Sequence, residues 1–268
     1  MEIVEYRGIE GLVAAEITKD DTTGYTAGTP FAVAGVAEIS KSTDSSSEAH
    51  YYDNIPAIII QSEGPDTINI NVSAIPLDVL AKLTGQMFDI ATGTLIEEPR
   101  TPKYFAIGYI AKKTNGDLVY VWRLKGTFAI PDQTNATEDN STNANGQTLV
   151  YTGIPTQYSF TKNHKPAKAV NVDVARNLCD VSSFFTAVTT PDTLVAKTTY
   201  TLTITEAAST DVVVKRNGVT LPTGSTISAG DQLQISVTGG TITVNSSDFI
   251  SGDIHVVSGN VTVVSTAS

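Results

Sequence analysis

The sequence predicts a mainly β protein built as two units, and three observations lead there. Segment after segment alternates large apolar residues with small or polar ones at period 2, the pattern of strands with two unlike faces. Only two short stretches read as helix. Charge thins sharply near Pro191: residues 193–268 contain eight charged side chains in a chain of 268 residues that has 45.

Strands are predicted in order at 11–18, 31–40, 67–74, 105–111, 118–125, 149–152, 157–161 and 169–174. In the fourth, Phe105, Ile107 and Tyr109 share a face. In the fifth, Leu118, Tyr120, Trp122 and Leu124 share one face, opposite Val119, Val121, Arg123 and Lys125. Thr114-Asn115-Gly116-Asp117 joins the two, and Asn-Gly accepts the positive φ that a tight hairpin turn needs. The expected buried face is the one with Tyr120, Trp122 and Leu124, alongside Phe105 and Ile107. A helix is predicted at 76–84, with Pro76 in its first turn, Leu77, Leu80 and Leu83 on one side and Gly85 ending it. A second is predicted at 181–187, with Asp180 as its cap.

Two polar stretches interrupt this order. Residues 41–54 hold Ser42, Ser45, Ser46 and Ser47, then His50, Tyr51, Tyr52 and Asp53. Loops of this length inside compact domains are functional or disordered, and the paired tyrosines make this one an ordered interaction arm. Residues 131–146, rich in Asn, Thr and Asp, read as a flexible surface loop. Past a linker at 189–193, strands are predicted at 200–205, 211–216, 232–237, 241–245 and 255–264. The turns Asn217-Gly218, Thr223-Gly224 and Ala229-Gly230-Asp231 separate several of them. Short strands with frequent turn signals make 194–268 a small β-sandwich.

Chemistry-bearing motifs are sparse. The net charge of −11 and pI near 4.6 disfavour a nucleic-acid grip, which is made with Lys and Arg. Cys179 is the single cysteine, so no disulfide forms within the chain. His50, His164 and His255 lack metal-ligand spacing. No phosphate-binding loop, dinucleotide fingerprint or nucleophile elbow is present. Asp20-Asp21 and Glu97-Glu98 read as solvated loop pairs, since strand neighbours point to opposite faces. No cofactor or metal is expected and no enzymatic role. The first residues lack a signal-peptide pattern and no apolar run approaches a membrane span, so synthesis in a cytoplasm and no membrane partner are expected.

Several stretches together resemble the major tail proteins, or tail tube proteins, of long-tailed bacteriophages. They are Tyr6-Arg7-Gly8-Ile9-Glu10-Gly11-Leu12-Val13-Ala14-Ala15 with Asp20-Asp21 and Tyr25, Tyr51-Tyr52-Asp53, and Leu83-Thr84-Gly85. The fullest match is Tyr104-Phe105-Ala106-Ile107-Gly108-Tyr109, then Asn115-Gly116, Tyr120-Val121-Trp122-Arg123-Leu124-Lys125-Gly126-Thr127-Phe128 and Pro131, with Phe184-Phe185 closing the region. The resemblance covers about 1–188. It implies a tail-tube β-sandwich or split barrel with a flanking short helix, six copies to a ring, and rings stacked into a tube. It also implies a long loop that reaches neighbouring rings. Implied partners are further copies of the chain, the tape measure protein, and tail terminator and tail tip proteins, with DNA passing through without specific binding. The implied location is the virion tail. Residues 194–268 resemble the immunoglobulin-like domains that decorate some tails. Channel walls in the family are commonly acidic, and Glu38 and Asp66 are the lumen candidates. The rival readings are a cell-surface or carbohydrate-binding β adhesin and, further off, a β-sandwich hydrolase.

Overall fold

A computed structural model describes residues 3–52, 54–132 and 146–267. The predicted surface loop at 131–146 falls almost wholly outside the described residues, as does Asp53. The protein is mainly β with several sheets, as its period-2 patterning predicts. It divides into two compact units. The first comprises Met1–Arg176 and Val181–Leu194, the second Asn177–Asp180 and Val195–Ser268. The chain therefore enters the second unit for four residues, returns for fourteen, and leaves again, where the sequence had suggested a single linker at 189–193.

The first unit is built on one sheet. Its strands are β1 (Tyr6–Asp21), β2 (Gly24–Ala27), β3 (Phe31–Ala32), β4 (Val36–Tyr52), β5 (Ile55–Val72), β8 (Phe105–Lys113), β9 (Leu118–Phe128), β10 (Gln147–Gly153) and β11 (Ala169–Asp173). The order is β2-β1-β8-β9-β10-β5-β4, with β11 on β9 and β3 on β1. A separate pair, β6 (Met87–Asp89) and β7 (Thr94–Ile96), follows the helix α1 (Leu77–Thr84). The sheet curls because β9 changes partner along one edge. Its first half pairs with β11 through Val119–Arg123, its last residues with β10 through Gly126–Phe128. Gly126 permits that switch: a Cβ there would lie 2.4 Å from both the Thr152 carbonyl and the Tyr151 ring. The curl brings Leu12, Ala14, Phe105, Ile107 and Phe128 against Ile68, Ile70, Leu149 and Tyr151 in one core, which Leu83 of α1 also joins.

The helix forms as its signals predict. Gly85 ends it at φ 72°, donating to the Ala81 carbonyl, and a Cβ there would stand 2.0 Å from the Thr101 carbonyl. The hairpin of β8 and β9 turns at Gly116 with φ 91°. Both faces of β9 are covered, where one was expected. Trp122 and Leu124 have no exposure and Tyr120 is half-buried beneath Phe184 and Phe185, while Val119 and Val121 pack with Tyr109 on the other face.

Four predicted elements differ. Residues 181–187 form successive tight turns (Phe184 N–H to Val181 O, Thr186 N–H to Ser183 O), not a helix. The Phe184 carbonyl is taken by the Trp122 indole N–H at 2.8 Å and by the Thr189 hydroxyl at 3.0 Å, so burying Trp122 wins over helix propagation. Residues 157–161 are not a strand. The Gln157 and Tyr158 amides donate to the Asp20 carboxylate and those of Thr161 and Lys162 to Asp192, so only an isolated bridge from Phe160 to Lys165 forms in place of a ladder. The strand at 31–40 breaks at Gly35, whose amide and carbonyl bond to Ser73. The strand at 255–264 splits in two for a reason found in the second unit.

There, one sheet holds β12 (Thr199–Thr205), β15 (Thr226–Ser228), β17 (Gly240–Val244), β18 (Ser247–Phe249) and β20 (Val261–Ala267). The other holds β13 (Asp211–Arg216), β14 (Val219–Thr220), β16 (Gln232–Thr238) and β19 (Ile254–Val256). The chain must cross from one sheet to the other between β19 and β20, and the Asn260 side chain there accepts the Thr201 amide. Leu202, Val214, Ile227, Leu233, Ile235 and Val263, all without exposure, fill the space between the two sheets. Asn177, Asp231, Arg216 and Lys197 tie the returning segment in. Arg216 bonds Asp231 at 2.9 Å, and Asn177 bonds both Asp231 and Lys197.

Candidate functional site: a projecting β-arm and the trough at its root

The polar stretch 41–54 is ordered as strand. β4 and β5 pair antiparallel from Val36–Val72 out to Tyr52–Ile55. From Val72 to Asp66, β5 also pairs with β10, and that pairing ends at Asp66–Gly153. Beyond it the two strands stand off the sheet as a ribbon. The 11 steps from Asp66 to Ile55 extend about 36 Å at ~3.3 Å per residue.

The ribbon keeps its large apolar residues in water. Ile58, Ile59 and Ile60 are 51%, 64% and 55% exposed, and Tyr51, Tyr52 and Ile55 are all above 60%. Consecutive strand residues face opposite ways, so both faces are apolar. A two-stranded ribbon alone is marginally stable in water, and exposed apolar patches of this kind mark interaction surfaces. Of the arm residues singled out in the sequence, Ser42, Ser45, Ser46, Ser47, Tyr51 and Tyr52 all lie on β4. Ser45, Ser46 and Ser47 face Glu63, Ser62 and Gln61 across the ribbon, and Ser42 faces Thr67 within the body. The three isoleucines and Ile55 complete the surface. Their signal in the sequence was the run Ile55-Pro56-Ala57-Ile58-Ile59-Ile60, too apolar for a loop and without a facing apolar strand.

A buried charge cluster fixes the arm at its root. Asp66, 3% exposed, accepts the Thr43 hydroxyl at 2.8 Å and pairs with Arg123 at 3.3 Å, Lys168 at 3.4 Å and Lys41 at 3.6 Å. Lys168 also holds Glu63 and the Gly64 carbonyl, both at 2.7 Å. Burial would raise the Asp66 carboxyl, but the Thr43 hydrogen bond and the Lys168 and Lys41 charges outweigh it and hold it below the usual carboxylate range. A bulge at Asp44, packed on Gly64, lies just outside this clamp and adds local twist. Asp66 is thus a clamp residue rather than an open acidic wall residue, because three cations neutralise it. Glu38 is exposed and accepts the Asn71 side-chain amide at 3.1 Å.

Beside the root the core of the curled sheet opens into a trough of about 500 Å³. Tyr109, Val119 and Val121 form its floor, with Ile9, Ile39 and Ala111 against them. Arg7, Lys41 and Arg123 stand around it, against one acid, Glu38. The Arg123 Nε is buried without a partner.

A second buried pair corrects the sequence reading of Asp20-Asp21 as solvated. Asp20 meets Lys125 at 2.5 Å, both side chains nearly sealed, while Asp21 closes the β1–β2 turn by accepting from Thr23. The two aspartates part ways because successive strand residues point to opposite faces. Among the described residues, no group of three or more His, Cys, Asp and Glu side chains could hold a metal ion. No helix there is long and apolar enough to cross a membrane. No family model matches this chain, and no curated protein matches it at a significant level.

Proposed function

We propose that this chain is a structural subunit that polymerises, in the manner of a bacteriophage tail tube protein, as stacked hexameric rings around a channel. The observation that supports it most is the arm: about 36 Å of ordered ribbon with both faces apolar, clamped at its root and left open by the described residues. Such a surface is costly in a monomer and is explained by burial in an assembly. The outer edge of β4 over 17 residues fits the same reading. An unpaired edge of that length invites pairing with another chain, and closed rings satisfy edges without open growth.

On this reading the first unit forms the tube. The second, an immunoglobulin-like sandwich, decorates the outside. The channel holds the tape measure protein before it conducts DNA, and terminator and tip proteins meet the tube's ends. The protein is made in the host cytoplasm and functions in the virion. The excess of acid over base suits a wall past which a polyanion slides. Asp66, neutralised within its clamp, supplies no open lumen-facing charge on this reading.

Negative-stain electron microscopy of the purified protein tests this. Rings or tubes are expected. Deleting residues 46–62 and joining the strands with a tight turn is expected to leave a folded protein that forms no tubes. Tubes of normal length from that variant would overturn the role given to the arm.

A further inference from the structure

We propose that the trough beside the root of the arm is the seat for the arm tip of a second copy of this chain. The proposal rests on the assembly reading above and names the receiving surface it requires.

Three features point to this occupant. The first is chemistry. The trough is an apolar floor open to solvent, at the size of pockets that enclose a ligand. The arm carries the largest ordered set of exposed aliphatic and aromatic side chains in the first unit.

The second is charge. Of the acids in 44–63, Asp44 and Glu63 sit at the root, Glu63 bound to Lys168; the outer arm carries Glu48 and Asp53 and no Lys or Arg. Around the trough Arg7, Lys41 and Arg123 stand against Glu38 and the clamp's Asp66, which leaves the rim net basic, and the buried Nε of Arg123 lacks an acceptor. An acidic apolar tip entering a basic-rimmed apolar trough is complementary in both respects.

The third is reach. Lys41, on the trough wall, and Tyr51, near the tip, lie on the same strand ten residues apart, about 33 Å at ~3.3 Å per residue. The β4–β5 ladder between them is paired throughout apart from its bulges. A tip cannot fold back into its own trough without breaking that ladder, so the tip that fills it comes from another molecule. Each copy then offers one arm and one trough. The contact is heterologous, which propagates from copy to copy and does not stop at a dimer.

The test places a photo-crosslinking amino acid at Tyr52 in the full chain and maps the products after assembly. Crosslinks to trough residues of another copy, around Ile9, Ile39 and Ala111, are expected. In parallel, Ala37→Trp fills the trough from its exposed wall, and Arg7→Glu reverses a rim charge. Each is expected to leave the melting temperature unchanged and to lower the assembled fraction by about tenfold or more, as loss of one interface anchor does. Crosslinks to another copy at other residues, or normal assembly by both variants, would overturn the trough as the seat while leaving the arm an assembly element. A wild-type protein that stays monomeric at every concentration would overturn both readings.

Discussion

Trp122 shows how one residue organises a region. It has no exposure, and its indole N–H meets the Phe184 carbonyl at 2.8 Å. Its ring lies against Phe185, and a Cβ on Gly108 would stand only 3.0 Å from it. Removing a large aromatic from such a site costs about 3–5 kcal/mol, because the lost burial is compounded by a cavity. Trp122→Ala is therefore expected to lower the melting temperature of the first unit strongly and to loosen 181–188. Proteolysis of that segment would report the second effect, and an unchanged melting curve would contradict both. Charged residues act as locally. Because the folded Asp66 carboxyl is held below its ordinary range, its clamp contributes stability that is present above the unfolded carboxylate pKa. That stability is lost as pH falls through the lower, folded value. Tyr25 shows the opposite cause. Burial, and then the nearby Asp20 charge, push its phenol far above its usual value, so it remains a donor to the Leu124 carbonyl at 2.6 Å.

At the scale of the element, the arm differs from every other strand of the first unit. Its inner residues belong to a wide sheet with a core beneath it, and its outer residues have only each other. Local opening free energy follows burial and neighbouring contacts. Amides of 45–62 are thus expected to exchange with deuterium far faster than those of β8 and β9 in the isolated subunit. In assembled material they should become protected, if the arm's faces are covered there. Equal, strong protection in both states would mean that the ribbon is stable alone and needs no partner. The helix α1 is the opposite case. Its start, its end at Gly85 and its inward Leu80 and Leu83 agree with the packing, which is why its bounds follow from local signals, whereas Leu77 of the expected face stays half exposed.

On the scale of the whole molecule, two separate cores imply two cooperative transitions. The segment Asn177–Asp180 belongs to the second unit although the first resumes at Val181. Its Asn177 bonds Asp231, which is 5% exposed and also holds Arg216 and the Ser228 amide. Asn177→Ala removes one partner from a buried carboxylate, a loss of about 1–3 kcal/mol. It is expected to lower the second unit's calorimetric transition and leave the first unit's in place. A shift of both by the same amount would show that the units unfold together.

The sequence by itself determined the strand periodicity, the β8–β9 turn at Asn115-Gly116, the helix with its glycine stop, and the composition break near Pro191. Each rests on interactions within a few residues, so each is written in local order. It also marked Tyr51 and Tyr52 as unusual among polar neighbours. Tertiary structure alone decided the rest. Serines that suggested a loop became strand because β5 supplied a ladder across from them. Asp20 and Asp192 removed a predicted strand at 157–161 by taking its amides from 137 and 31 residues away. A tryptophan 62 residues distant took the carbonyl that a helix at 181–187 would have used. Asp66 became a clamp because Lys41, Arg123 and Lys168 converge on it from three separate segments. In every such case a backbone or charged group chose between a near partner and a far one. Burial made the far partner stronger, and no local pattern records which distant residue the fold will bring.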